Sequence, residues 1–125
     1  MITACLTIND RSQEISRVVA DSFMLPENHA DEIVLVLDRP TQEARLGALR
    51  YYSSLSTPLR VIEISGEPGW KCPARAWNHA FAAADGELLY CISSDVVQDR
   101  GNIHKARTLC ASGNTVLFGA CHNLV

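Results

Sequence analysis

The chain has 125 residues, 47% hydrophobic and 20% charged, enough for one domain with a real core. Its formal net charge of -3 gives no support to wholesale nucleic-acid binding, which draws on clustered Lys and Arg. No run approaches the roughly 20 apolar residues that cross a bilayer. Asp10 and Arg11 interrupt the amino-terminal apolar stretch before it is long enough for a signal peptide. The expectation is a cytoplasmic protein with no membrane span in this chain.

The first apolar run, Ile2 to Ile8, reads as a strand. Asp10 or Ser12 can then cap a helix whose inner face holds Ile15, Val18, Val19, Ser22 and Phe23. Pro26-Glu27-Asn28 ends it. Glu32 to Leu37 is apolar without alternation, the pattern of a strand covered on both faces in a parallel sheet. After the turn Asp38-Arg39-Pro40-Thr41, a second helix places Ala48, Leu49, Tyr52 and Leu55 inward. Thr57-Pro58 breaks it, and Leu59 to Ile64 forms a third strand.

Gly66-Glu67-Pro68-Gly69 is a loop by composition, and Pro73 suits the first turn of a third helix. Trp77, Ala80, Phe81 and Ala84 share a face of that helix, which Asp85-Gly86 stops. Leu88 to Ile92 is the fourth strand and ends at Ser93-Ser94-Asp95. A helix over 102–111 and a final apolar run, Thr115 to Ala120, complete a β-α-β-α-β-α-β-α-β order. Such alternation predicts one domain over 1–125, a three-layer α/β/α sandwich with a mostly parallel sheet. Ligands of such sheets lie beyond the carboxyl ends of the strands, so Thr7–Arg11, Asp38–Thr41, Ser65–Lys71 and Ser93–Asp95 are the segments that bear on function.

Five cysteines form no CxxC unit, and Cys5 and Cys91 stand in apolar runs as buried thiols do. Four histidines show no HExxH spacing, and Cys110 with Cys121-His122 is only a weak zinc pattern. There is no GxxxxGK[ST] and no GxGxxG after the first strand, which argues against P-loop and dinucleotide folds. A receiver domain would need an Asp after the third strand, where Ser65-Gly66 stands instead.

An ordered set of features resembles the family-2 inverting glycosyltransferases of GT-A (nucleotide-diphospho-sugar transferase, Rossmann-like) fold. Thr7-Ile8-Asn9-Asp10-Arg11 stands where that family has a Thr-Tyr-Asn-Arg-like turn, and Leu37-Asp38-Arg39-Pro40-Thr41 where it has Asp-Asp-Gly-Ser. The stretch Gly69 to Asn78 matches a Gly-rich loop running into an Ala-Arg-x-x-Asn helix. Ala84-Asp85-Gly86-Glu87 matches the close of that helix, and Ser93-Ser94-Asp95 occupies the Asp-x-Asp metal position.

The resemblance implies the donor-binding half of a glycosyltransferase that moves a glycosyl group from a nucleoside-diphosphate sugar. Thr7 and Asn9 would cradle the base or ribose, or simply make a tight turn. Asp38 would accept a hydrogen bond from the base, or cap the following helix. Lys71 and Arg75 would approach the diphosphate, and are otherwise solvated charges. Asp95, helped by Ser93, would hold Mn²⁺ or Mg²⁺ against the two phosphates. Ser93 replaces the first carboxylate of the motif, which lowers the metal affinity expected.

Two departures bear on activity: that serine, and the absence of an assignable general base, which inverting transfer requires. An acceptor half, a completing subunit or a homo-oligomer would have to supply one. The alternative is a non-catalytic nucleotide- or protein-binding module of the same fold. Donor identity, acceptor and catalytic residues are not legible in the sequence.

Overall fold

A computed structural model describes residues 1–66 and 72–121. Four strands and four helices alternate: β1 (Ile2–Ile8), α1 (Gln13–Ser22), β2 (Glu32–Asp38), α2 (Gln42–Tyr52), β3 (Leu59–Ile64), α3 (Ala74–Ala83), β4 (Leu88–Cys91) and α4 (Asn102–Leu109). The strands make one parallel sheet in the order β3-β2-β1-β4. β2 is buried at all seven positions, because it pairs on both sides and is covered on both faces.

The two faces carry separate cores. Side chains of one parity, including Leu6, Ile8, Leu35 and Leu37, pack against Val19 and Ala20 of α1, Ala44 and Ala48 of α2, and Ile103 of α4. Those of the other parity, Cys5, Val34, Val36 and Ile64, pack against Ala76 and Ala80 of α3. The result is the expected three-layer sandwich. Local chemistry starts the first two helices. Ser12 Oγ accepts from the Ile15 N–H at 3.2 Å, and Thr41 Oγ1 accepts from the Ala44 N–H at 3.2 Å.

The structure departs from the sequence reading in five places. Thr115 to Ala120 does not form a strand: it joins no ladder among the described residues, and Val116 and Phe118 are 80% and 89% exposed. Apolar, β-branched composition makes a segment compatible with a ladder but does not supply the neighbouring strand. Cys91 is exposed whereas Cys5 is fully buried. β4 is an edge strand, and α3 covers the sheet centre rather than that edge.

The buried faces of the helices keep most of the expected residues, Val19, Ser22, Ala48, Tyr52 and Ala80 among them, but differ at single positions. In α3 the alanines Ala76 and Ala80 meet the sheet, while Phe81 is exposed and stacks on Trp77 with ring centroids 5.8 Å apart. Small residues let the helix approach closely, which pushes the aromatic pair to its flank. Likewise Leu49 in α2 and Ile15 in α1 are exposed, and Gly47 and Ser16 take inner positions. A Cβ on Gly47 would come within 2.9 Å of Gln13 Cα, so this contact between α1 and α2 excludes a larger residue.

Candidate functional site

The connections decide where the sheet opens. α1 and α2 carry the chain from β1 to β2 to β3 on one face, whereas α3 carries it from β3 to β4 on the other. The direction of winding therefore reverses between β1 and β4. At such a reversal the loops leave in opposite directions and a crevice forms beyond the carboxyl ends of the two strands. Asn9-Asp10-Arg11 follows β1 and Ser93-Ser94-Asp95 follows β4, so these segments are its walls.

Arg11 spans the crevice. Its Nε donates to Ser94 Oγ at 3.0 Å, one amino group donates to the Asp10 carbonyl at 3.1 Å, and the other lies 3.5 Å from Asp95 Oδ2. Ser94 is buried at 3% exposure, so the hydroxyl that holds the guanidinium is a fixed anchor. Ser93 Oγ donates to Asp95 Oδ1 at 2.6 Å. That hydrogen bond, with the charge of Arg11, holds the Asp95 carboxyl below the usual carboxylate range.

The second wall stands beside β2. Asn9 Nδ2 donates to the carbonyls of Asp38 at 2.7 Å and Arg39 at 3.1 Å, and the Asn9 carbonyl accepts from the Thr41 N–H at 3.0 Å. Asn9 thus clamps the end of β1 to the turn after β2. Asp38 does not cap α2, since Thr41 does. Instead its carboxylate takes a two-pronged ion pair from Arg39, with Nε at 2.7 Å and the second amino nitrogen at 2.9 Å. Both side chains are about 10% exposed. Arg39 adopts φ 46, the left-handed region that non-glycine residues seldom enter, and its N–H bonds to the Ile64 carbonyl at 2.9 Å. An open hollow of about 320 Å³ adjoins this pair, lined by Arg39, Pro40, Arg45, Glu63, Ile64 and Ser65 among others. Arg45 and Glu63 form an ion pair within that lining.

Of the residues singled out in the sequence, Thr7, Asn9, Asp38, Ser93 and Asp95 come together along the carboxyl ends of β1, β2 and β4. Thr7 is half-buried inside β1. Arg75 and Asn78 lie on α3 and are exposed. Lys71 and His122 lie outside the described residues. Arg11 and Arg39 are the functional candidates that motif reading left without roles. Each stood inside a flagged strand-end segment, yet only the packing shows the carboxylate it meets.

At the metal position the donors are one exposed carboxylate and one hydroxyl, and that hydroxyl already donates to the carboxylate. No group of three His, Cys, Asp or Glu side chains suited to a metal gathers among the described residues. A hard dication takes about six oxygen ligands, so at most two would come from this donor set and the rest from phosphate oxygens and water.

A parallel sheet with helices on both faces, its winding reversing between β1 and β4, defines a Rossmann-like α/β domain. Two crystal structures of S. aureus TarS, a glycosyltransferase, have this arrangement. One, of TarS residues 1–349, overlays 90% of this chain on 33% of its own at a TM-score of 0.70 and 19% identity. The other overlays 90% of this chain on 20% of its own at a TM-score of 0.69 and 20% identity. The chain thus spans a third or less of the TarS chains it resembles in fold. Comparison of the sequence with protein-family models and with curated proteins gives no match. No helix among the described residues is long and apolar enough to cross a membrane.

Proposed function

We propose that this chain is the donor-binding portion of a glycosyltransferase, holding a nucleoside-diphosphate sugar across the carboxyl ends of β2, β1 and β4. The observation that carries the reading is the convergence of polar strand-end residues at the β1/β4 reversal, in a chain whose fold overlays TarS. The base would lie toward Asp38 and the hollow beside it, and the diphosphate toward the β1/β4 crevice, with Arg75 and Lys71 near the phosphates. Glycosyl transfer would need a general base and an acceptor site, which further chain or a partner subunit would supply.

One specific feature favours a binding module instead. Asp38, the carboxylate that would receive the base, is already neutralised by Arg39. A ligand must displace that guanidinium, and a module that binds no donor would leave the pair intact.

Calorimetric titration of UDP and GDP into wild type, Asp38→Ala and Arg39→Asn separates the two. Asparagine tolerates the left-handed backbone, so Arg39→Asn frees Asp38 at little cost in strain. On the donor-binding reading, Arg39→Asn tightens binding by a few-fold to about tenfold, and Asp38→Ala weakens it by a similar factor. Absence of binding by all three proteins would refute donor binding by this chain.

A further inference from the structure

Asp95, the one carboxylate at the metal position, already faces Arg11 and accepts from Ser93, which points to a different source of positive charge. Building on the donor-binding reading, we infer that Arg11 supplies the cation for the diphosphate, so that nucleotide binding is independent of divalent metal, and that Asp95 is the resting counter-ion of Arg11 rather than a metal ligand.

The guanidinium is held from both sides of the crevice. The buried Ser94 hydroxyl fixes Nε from the β4 side, and the Asp10 carbonyl fixes one amino nitrogen from the β1 side. Ser94 and Arg11 are 83 residues apart in sequence, so this is a tertiary bridge. Arginine carries five N–H donors in a rigid fork that matches phosphate oxygens. The two anchoring bonds use two of these donors. The side chain is 33% exposed, and its remaining contact is the longer one, at 3.5 Å, to Asp95. A phosphate oxygen at the crevice therefore competes with the weakest of the three partners.

Asp95 in turn is steadied by Ser93 at 2.6 Å, an arrangement that satisfies the carboxylate internally. Asp10, the other carboxylate nearby, has Oδ1 at 3.4 Å from Thr41 Oγ1 on the β2 side. Near Arg11, an anion therefore meets the repulsion of Asp95 unless that carboxylate is removed or moves aside. This fixes a sign opposite to that of a metal site. If Asp95 bound a metal, losing its charge would weaken nucleotide binding. If it balances Arg11, losing its charge strengthens binding or leaves it unchanged.

The experiment is calorimetric titration of UDP and GDP, and of the matching nucleosides, into wild type, Arg11→Gln, Arg11→Lys and Asp95→Asn. Each titration is run in EDTA and again with Mn²⁺, after thermal melts have shown the variants folded. Expected are equal nucleotide affinities with and without Mn²⁺, and a loss of about tenfold or more in Arg11→Gln with nucleoside binding unchanged. Arg11→Lys should recover part of that loss, and Asp95→Asn should bind as tightly as wild type or more tightly. Binding that appears only with Mn²⁺ and is lost in Asp95→Asn overturns the inference while leaving nucleotide binding in place. Diphosphate binding insensitive to Arg11→Gln overturns it in the same way. No binding of any nucleotide by any variant overturns it together with the donor-binding reading.

Discussion

Replacing Asn28 with alanine tests how the segment that follows the β4 wall is held. Asn28 is fully buried, and its amide bonds in three directions. Nδ2 donates to the Ser22 carbonyl at 3.0 Å and to the Asp99 carbonyl at 2.7 Å, and Oδ1 accepts from the Ile103 N–H at 3.4 Å. Ile103 is the second residue of α4, whose N-cap, Gly101, has no side chain to offer, so Asn28 serves as a cap supplied from a distant loop. The backbone adds two bonds between the same segments, Gly101 N–H to the Pro26 carbonyl at 3.1 Å and His104 N–H to the Glu27 carbonyl at 3.0 Å.

Alanine leaves those two bonds but removes all three from Asn28. Loss of a cap costs about 1 kcal/mol, and each buried group stripped of its partner about 1–3 kcal/mol. The Ser22 and Asp99 carbonyls retain weaker acceptor roles at 3.4 Å, to Leu25 and Asn102, which puts the total near the lower end. The expected loss is about 2–4 kcal/mol, a large share of the 5–15 kcal/mol typical of a domain. Urea unfolding followed by far-ultraviolet circular dichroism measures it, and limited proteolysis should show new cleavage between residues 96 and 101. A loss below about 0.5 kcal/mol would refute the claim that this amide holds α4 to the body of the domain.

Two further outcomes follow from the same physics. A Cβ on Gly86 would lie 2.7 Å from Thr3 Oγ1 and 2.8 Å from both the Met1 carbonyl oxygen and the Thr3 nitrogen, so Gly86→Ala should destabilise by about 1–3 kcal/mol in urea titration. Asp31 accepts from the Ile2 N–H at 2.7 Å and from Arg107 at 3.0 Å, and these bonds, the backbone one foremost, lower its pKa below the usual value. Because the folded-state pKa is the lower one, the stabilisation is present above the ordinary carboxylate range and fades as pH falls below about 4. The difference in melting temperature between wild type and Asp31→Asn should accordingly be largest near neutrality and shrink on acidification; a constant difference across that range would contradict the assignment.

The polar strand ends illustrate how far residue chemistry reaches without coordinates. The turn residues after β1, β2 and β4 were identifiable because parallel sheets expose those ends. The cap at Ser12, one of the two residues the sequence offers there, is a side chain that reaches an N–H only three residues away. The run Ile33 to Leu37 announces its own burial, since an unbroken apolar strand is stable only when covered on both faces. These features are local, and the sequence alone determined them.

Partnership was decided by the tertiary structure. The order β3-β2-β1-β4 sets the winding reversal beside β1 and leaves β4 as an edge, with Cys91 exposed upon it. The same packing seats Arg39 on Asp38 and carries Arg11 across to Ser94 and Asp95. It also leaves Thr115 to Ala120 without a ladder despite a composition suited to one. Periodicity and capping act over a few residues and are written in the adjacent chain. Strand order and charge pairing depend on segments up to some eighty residues apart, whose meeting is set by the packing of the whole sheet and its helices.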